Sequence, residues 1–330
     1  MPYLSAYPRA GQIALLCEGD LIGYEATLFQ KWTGTELGTT PLVDIWPCGT
    51  AASIHGVSDA IGRSRPIIVI EDRDFRSAEE SRADCERNRR DRERRGIQII
   101  GWSTWGRCEI ENYLLEAEVL FPVLREAFGC KDDDIINAAD EILPALALFQ
   151  ASQYAMSRAR RLWSSADPAR ALLSGLSSRP GWNDSVRRIL PPEEAAFRSG
   201  LEQNSKAWTE QIHAIEYDLV GDFDAKFRLW KNCHWQDNSW RIDWAGKEVL
   251  HWIRVAMTSR FGWPVNGDSG NRQTLTWEVS RDRREAQDRP IEAALRPRMI
   301  DQFLAKLTAL PQEIRDEFDG IKTAIKSHQV

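Results

Sequence analysis

The chain has 330 residues, a net charge of −6 at neutral pH and 42% hydrophobic residues, so it is long enough for two domains or one large one and too apolar to be disordered. The acidic balance excludes a uniformly basic nucleic-acid binder and confines any such surface to a local patch. No stretch reaches the roughly 20 apolar residues of a membrane span, and Met1 to Ala10 does not read as a signal peptide.

In chain order, Gln12 to Cys17 is a short buried strand ending in Glu18-Gly19-Asp20. Leu21 to Trp32 has helical spacing, and Asp20 is its expected cap. Val43 to Trp46 is a second strand, Pro47 to Thr50 a turn, and Ala51 to Ile61 a helix. Ile67 to Glu71 forms a third strand, buried on both faces, and Ile97 to Gly101 a fourth. The alternation of strand and helix predicts a parallel sheet with right-handed crossovers.

The third strand runs into Asp72-Arg73-Asp74-Phe75. In extended chain Asp72 and Asp74 point the same way, and two carboxylates there repel unless a cation lies between them. Hard oxygen donors suit Mg²⁺ or Mn²⁺. The same acids read equally as a solvent-facing loop. Arg76 to Arg95 alternates Arg with Asp and Glu, which predicts a salt-bridged helix; a sharper reading makes Arg87, Arg89, Arg90, Arg92, Arg94 and Arg95 the basic patch.

From Glu116 the chain turns helical, with apolar spacing over Ile135–Trp163, Glu193–Leu229, Ala245–Arg260, Ile291–Leu307 and Pro311–Lys326. The predicted division is therefore an α/β domain over 1–125 and a mostly helical domain over 126–330. Trp230, Trp235, Trp240, Trp244 and Trp252 read as the core of that helical part, with base stacking the lesser reading. Six cysteines lie scattered with no Cys-x-x-Cys pair, which favours free thiols in a reducing cytoplasm over a zinc site.

Glu18 after strand one, Asp72 and Asp74 after strand three, and Glu111 after strand four fall at one edge of a parallel sheet, where ligands bind. Cys17-Glu18-Gly19-Asp20, Pro47-Cys48-Gly49-Thr50, Glu71 to Phe75 and Glu109 to Leu115 together resemble the TOPRIM domain, a Rossmann-like fold, in the branch of the overcoming-lysogenization-defect nucleases. The resemblance covers about residues 10 to 120. It implies phosphodiester cleavage in nucleic acid, with Mg²⁺ or Mn²⁺ held by Glu18, Asp72, Asp74 and Glu111, and with Glu18 also a proton-transfer group. Glu109 is a lesser candidate. Arg73, Arg76 and Arg107 are the expected substrate contacts.

The chain lacks the Gly-x-x-x-x-Gly-Lys-Ser/Thr of the ATPase half of those nucleases; Gly246-Lys247-Glu248 does not supply it. It therefore resembles the stand-alone TOPRIM effectors of two-gene anti-phage systems, which implies an ABC-type ATPase partner docking on the helical part, over exposed apolar or tryptophan-rich ground. Restraint through a homodimer is also open. Some relatives act on tRNA and others on DNA. Lys247 is the expected phosphate-neutralising cation, although a surface helix lysine has the same sequence signature. A haloacid-dehalogenase-like phosphohydrolase also uses Asp-x-Asp, but on its first strand. A non-catalytic TOPRIM-fold subunit is the remaining alternative.

Overall fold

The computed structural model describes residues 13–36, 43–163, 218–262 and 281–328, with single positions at 199, 202 and 206. It is an α/β chain with one four-stranded parallel sheet and mostly helical structure elsewhere. The chain divides into two compact units, Met1–Val123 with Arg296–Val330, and Leu124–Leu295. A single break near residue 125 places the last helix with the helical part; in the structure that helix belongs with the sheet.

The sheet has the order β2-β1-β3-β4. Its strands are β1 (Ile13–Cys17), β2 (Val43–Pro47), β3 (Ile67–Glu71) and β4 (Ile99–Thr104). All five residues of β1 and of β3 are buried, as their branched and aliphatic runs require. β1 pairs with β2 from Ile13↔Val43 to Cys17↔Pro47 and with β3 from Ala14↔Ile67 to Leu16↔Val69. A bulge between Ile67 and Ile68 shifts the β3–β4 register, so that Ile68 faces Gly101 and Glu71 faces Thr104. β4 consequently begins at Ile99 and not at Ile97. The Ile97 amide donates to the Arg92 carbonyl (3.1 Å) and the Gln98 amide to the Gly62 carbonyl (2.7 Å), which uses both residues in the approach to the strand.

Helices α1 (Tyr24–Glu36), α2 (Ala51–Ile61) and α3 (Ala78–Glu93) make the crossovers. α1 starts three residues later than Leu21. Asp20 does not cap it; its carboxylate accepts the Ile22 amide (3.2 Å) and its carbonyl the Gly23 amide (3.0 Å), closing a turn that leaves Leu21 and Ile22 exposed. Thr50 caps α2, and Ser77 with Glu80 forms a capping box on α3. One face of the sheet buries Leu16, Ile67, Val69, Ile99 and Trp102 with Ile54 of α2 and Cys85 of α3. Elsewhere in this unit Phe29 stacks on Trp105 at 5.7 Å, and Phe318 of the C-terminal helix meets Trp32 at 5.4 Å and Trp105 at 5.8 Å.

After the 3₁₀ turn Ile110–Leu115 come α4 (Ala117–Phe128), α5 (Asp132–Trp163), α6 (Leu219–Trp230), α7 (Ser239–Asp243), α8 (Gly246–Phe261), α9 (Arg281–Lys306) and α10 (Gln312–Ser327). The start of the predicted helix at Glu193 lies outside the described residues. In the second unit all five clustered tryptophans are buried, with Trp230 and Trp244 in edge contact at 5.7 Å and the Arg241 guanidinium over Trp235 and Trp240. They are core and not docking ground; among the described residues of this unit, the large apolar side chains on the surface are Leu229, Ile242 and Phe261. Among the described residues no helix is long and apolar enough to cross a membrane.

Candidate functional site

In this strand order β1 and β3 are neighbours although β2 separates them in sequence, so their carboxyl ends flank the point where the winding reverses, the place open α/β sheets use for ligands. Glu18 leaves the end of β1 there. Gly19 and Gly49, with φ of +82° and +84°, form a two-way bridge (3.1 and 2.8 Å) that curls the β1 and β2 ends together. A side chain at either position would strain that conformation.

The Asp72 amide donates to Glu18 Oε1 at 3.1 Å, tying the two strand ends. Asp72 Oδ1 is sealed from solvent and has no hydrogen-bond partner. The expectation that Asp72 and Asp74 share a face through extended backbone does not hold. β3 ends at Glu71, and Asp74 has φ of +52°, a left-handed conformation uncommon outside glycine. The turn is pinned by the Asp74 amide on the Cys108 carbonyl (2.9 Å), and Asp74 is exposed.

Glu25, near the start of α1, is a member of the site that the sequence reading missed. It is buried, and its Oε1 accepts the Trp105 indole N–H at 2.5 Å while Oε2 has no partner. An acid on the otherwise apolar face of the predicted helix was the available signal, but nothing local distinguishes it from a surface glutamate. Burial raises the Glu25 carboxyl well above the usual range, against the indole hydrogen bond, and the charges of Glu111 and Glu18 push it further. Asp72 is raised well above its usual value by burial first, then by Glu25, Glu109, Glu111 and Glu18. Burial and the Asp74 charge lift Glu18 to about 7, against the hydrogen bond from Asp72. Glu111 is buried in the 3₁₀ turn, whose start is tied by the Glu109 amide on the Asn112 side chain (2.9 Å). Glu18 thus lies in the field of Asp74, Asp72 in those of Glu18, Glu25, Glu109 and Glu111, and Glu25 in those of Glu18 and Glu111.

The expected cations are arranged differently. Arg107 is buried, with its guanidinium 2.5 Å from Glu116, on the Asn112 carbonyl (3.0 Å) and 3.6 Å from Glu313. Arg73 is 5% exposed. Arg76 is turned inward onto the backbone of the acidic turn. None of the three presents its head to an incoming phosphate. Lys247 belongs to the second unit, exposed in the first turn of α8. The arginine patch is neutralised on its own ground. Arg87 meets Asp84 (2.6 Å), Arg89 meets Glu93 (2.8 Å), Arg90 meets Glu86 (2.6 Å) and Arg94 meets Asp91 (3.4 Å), while Arg92 and Arg95 both reach Asp59 (3.0 Å). The salt-bridged reading of α3 is the one the structure has.

Comparison of the chain with protein-family models, curated proteins and solved structures gave no match.

The donor set is carboxylate oxygen, the type a hard divalent cation takes. The partnerless Asp72 Oδ1 and Glu25 Oε2 and the mutual repulsion of Glu18, Glu25 and Asp72 mark charge that a cation would satisfy. Among the described residues, however, no three Asp, Glu, His or Cys side chains are gathered round one point at ligand geometry. The donor type and charge suit a divalent cation, but the side chains are not at ligand distances round one point. The six cysteines are free thiols, and burial raises those nearest the acids, Cys17, Cys48 and Cys108, which makes them poor nucleophiles.

Proposed function

We propose that this chain is a divalent-cation-dependent phosphodiesterase acting on nucleic acid, with a TOPRIM-like first unit. The observation that carries the reading is the hydrogen-bonded Glu18–Asp72 pair at the sheet's switch point, surrounded by Glu25, Asp74 and Glu111. Asp72 and Asp74 would hold the cation, with Glu25 and Glu111 at its flank. When bound, such a cation offsets the charge that develops on a phosphate undergoing in-line displacement. The chain's own part is positioning and proton transfer. Glu18, held near neutrality by burial, can take a proton from an attacking water or give one to the departing oxygen at physiological pH. Asp72 orients Glu18 through its amide.

The effector role in an anti-phage system, held in check by an ABC-type ATPase partner, is proposed on the motif resemblance alone. A second reading, a TOPRIM-fold subunit without catalysis, is favoured by the one observation that no three ligands converge among the described residues. Incubating the purified chain with labelled RNA and DNA in Mg²⁺, Mn²⁺ or EDTA separates the two. Cation-dependent cleavage abolished by Asp72→Asn is expected; no cleavage of either polymer, alone or with the ATP-binding neighbour, would leave the second reading.

A further inference from the structure

Resting on that reading of the site, we propose that Arg76 is a positioning residue, a fork that fixes the backbone of the Asp72–Asp74 turn, and not a substrate contact. Its Nε donates to the Arg73 carbonyl at 3.0 Å and its Nη2 to the Asp72 carbonyl at 2.5 Å. Nη2 also lies 4.0 Å from Glu71, and Nη1 lies 3.6 Å from Asp84 on α3. The side chain is only 11% exposed.

Two consecutive carbonyls are therefore held by one rigid, planar group at the very residues that precede and carry the acids. The turn needs such a hold. Asp74 adopts a left-handed conformation, which a residue other than glycine enters at a cost and which the surrounding structure must therefore hold. The carboxylates around it repel one another, and a free turn would relieve that by opening outward. Arg76 opposes the opening twice, by geometry and by bringing a positive charge close to Glu71 and Glu18. Lysine cannot replace it, since one ammonium on a flexible stem lacks the two parallel donors. A phosphate contact would need the guanidinium turned out, at the loss of both carbonyl bonds.

The test uses the full chain and two variants, Arg76→Lys and Arg76→Gln, with two readouts. In metal-free protein, hydrogen exchange at the Asp72 and Asp74 amides should be at least tenfold faster in both variants, with circular dichroism unchanged. In a Mg²⁺ titration followed by thermal shift, the midpoint should rise at least tenfold. Exchange within twofold of wild type in a folded variant overturns the positioning role, whatever the metal does. So does an unchanged Mg²⁺ midpoint with a raised KM, the signature of a phosphate contact. If Arg76→Lys does not fold, Arg76→Gln decides by the same limits, and if neither folds the role is scaffolding and the proposal falls. A wild-type chain with no Mg²⁺ response but faster exchange in the variants sinks the metal reading and leaves the positioning role standing.

Discussion

Glu18 and Asp72 stand 54 residues apart in the chain and meet at 3.1 Å, the backbone amide of one on the carboxylate of the other. The bond joins the ends of β1 and β3 where the sheet's winding reverses. Both carboxyls are raised in pKa, so their ionised forms are disfavoured in the metal-free protein.

Asp72→Asn should therefore stabilise the metal-free chain while abolishing activity. It removes a charge that burial and four neighbouring acids disfavour, and it keeps the amide that holds Glu18. A gain of about 1 kcal/mol, roughly 2 °C in Tm for a chain of this size, is expected, with turnover down at least ~100-fold. Equal Mg²⁺-induced thermal shifts in wild type and variant would sink the metal assignment.

Stability in EDTA should fall as pH rises from about 4.5 to about 7. The folded Glu18 binds its proton more tightly than the unfolded chain does, so its contribution is full below 4.5 and disappears as pH passes 7. The shift corresponds to about 3 kcal/mol from this one group. Glu18→Gln should flatten that part of the profile, measured by urea unfolding at a series of pH values. It should also spare much of the Mg²⁺ binding while losing cleavage, and retained turnover would assign the proton transfer elsewhere.

Trp105→Phe removes the indole N–H that satisfies Glu25 Oε1 and keeps most of the stacking on Phe29. Leaving a buried carboxyl without its donor costs about 1–3 kcal/mol. The loss should be smaller when Glu25 is already Leu, which cannot accept the indole N–H, so a double-mutant cycle should show coupling of at least ~0.5 kcal/mol. Strict additivity would mean that the bond contributes nothing.

Lys247→Ala should leave stability within about 0.5 kcal/mol of wild type, because the residue is exposed on α8. If it supplies a cation to the substrate, activity falls at least tenfold, about 1.4 kcal/mol in the transition state. Wild-type kinetics in the variant would return it to the helix surface.

The sequence by itself determined the elements. Runs such as Ile67–Ile70 are so uniformly apolar that only a strand buried on both faces accommodates them, and β3 and α2 have the bounds that spacing predicts. The order strand–helix–strand made the sheet parallel, and the motif acids Glu18, Asp72, Asp74 and Glu111 were legible because each follows such a strand. The tertiary structure alone decided what surrounds them. Glu25 enters the site through Trp105, 80 residues away, and α10 joins the first unit through Glu317, whose carboxylate takes the Tyr113 hydroxyl across 204 residues. Arg76 and Arg107 look like phosphate contacts in the sequence and are spent inside the fold. Apolar periodicity reports which face of an element is buried. Which partner a buried charge finds depends on the chain's long-range packing, and no local pattern encodes that.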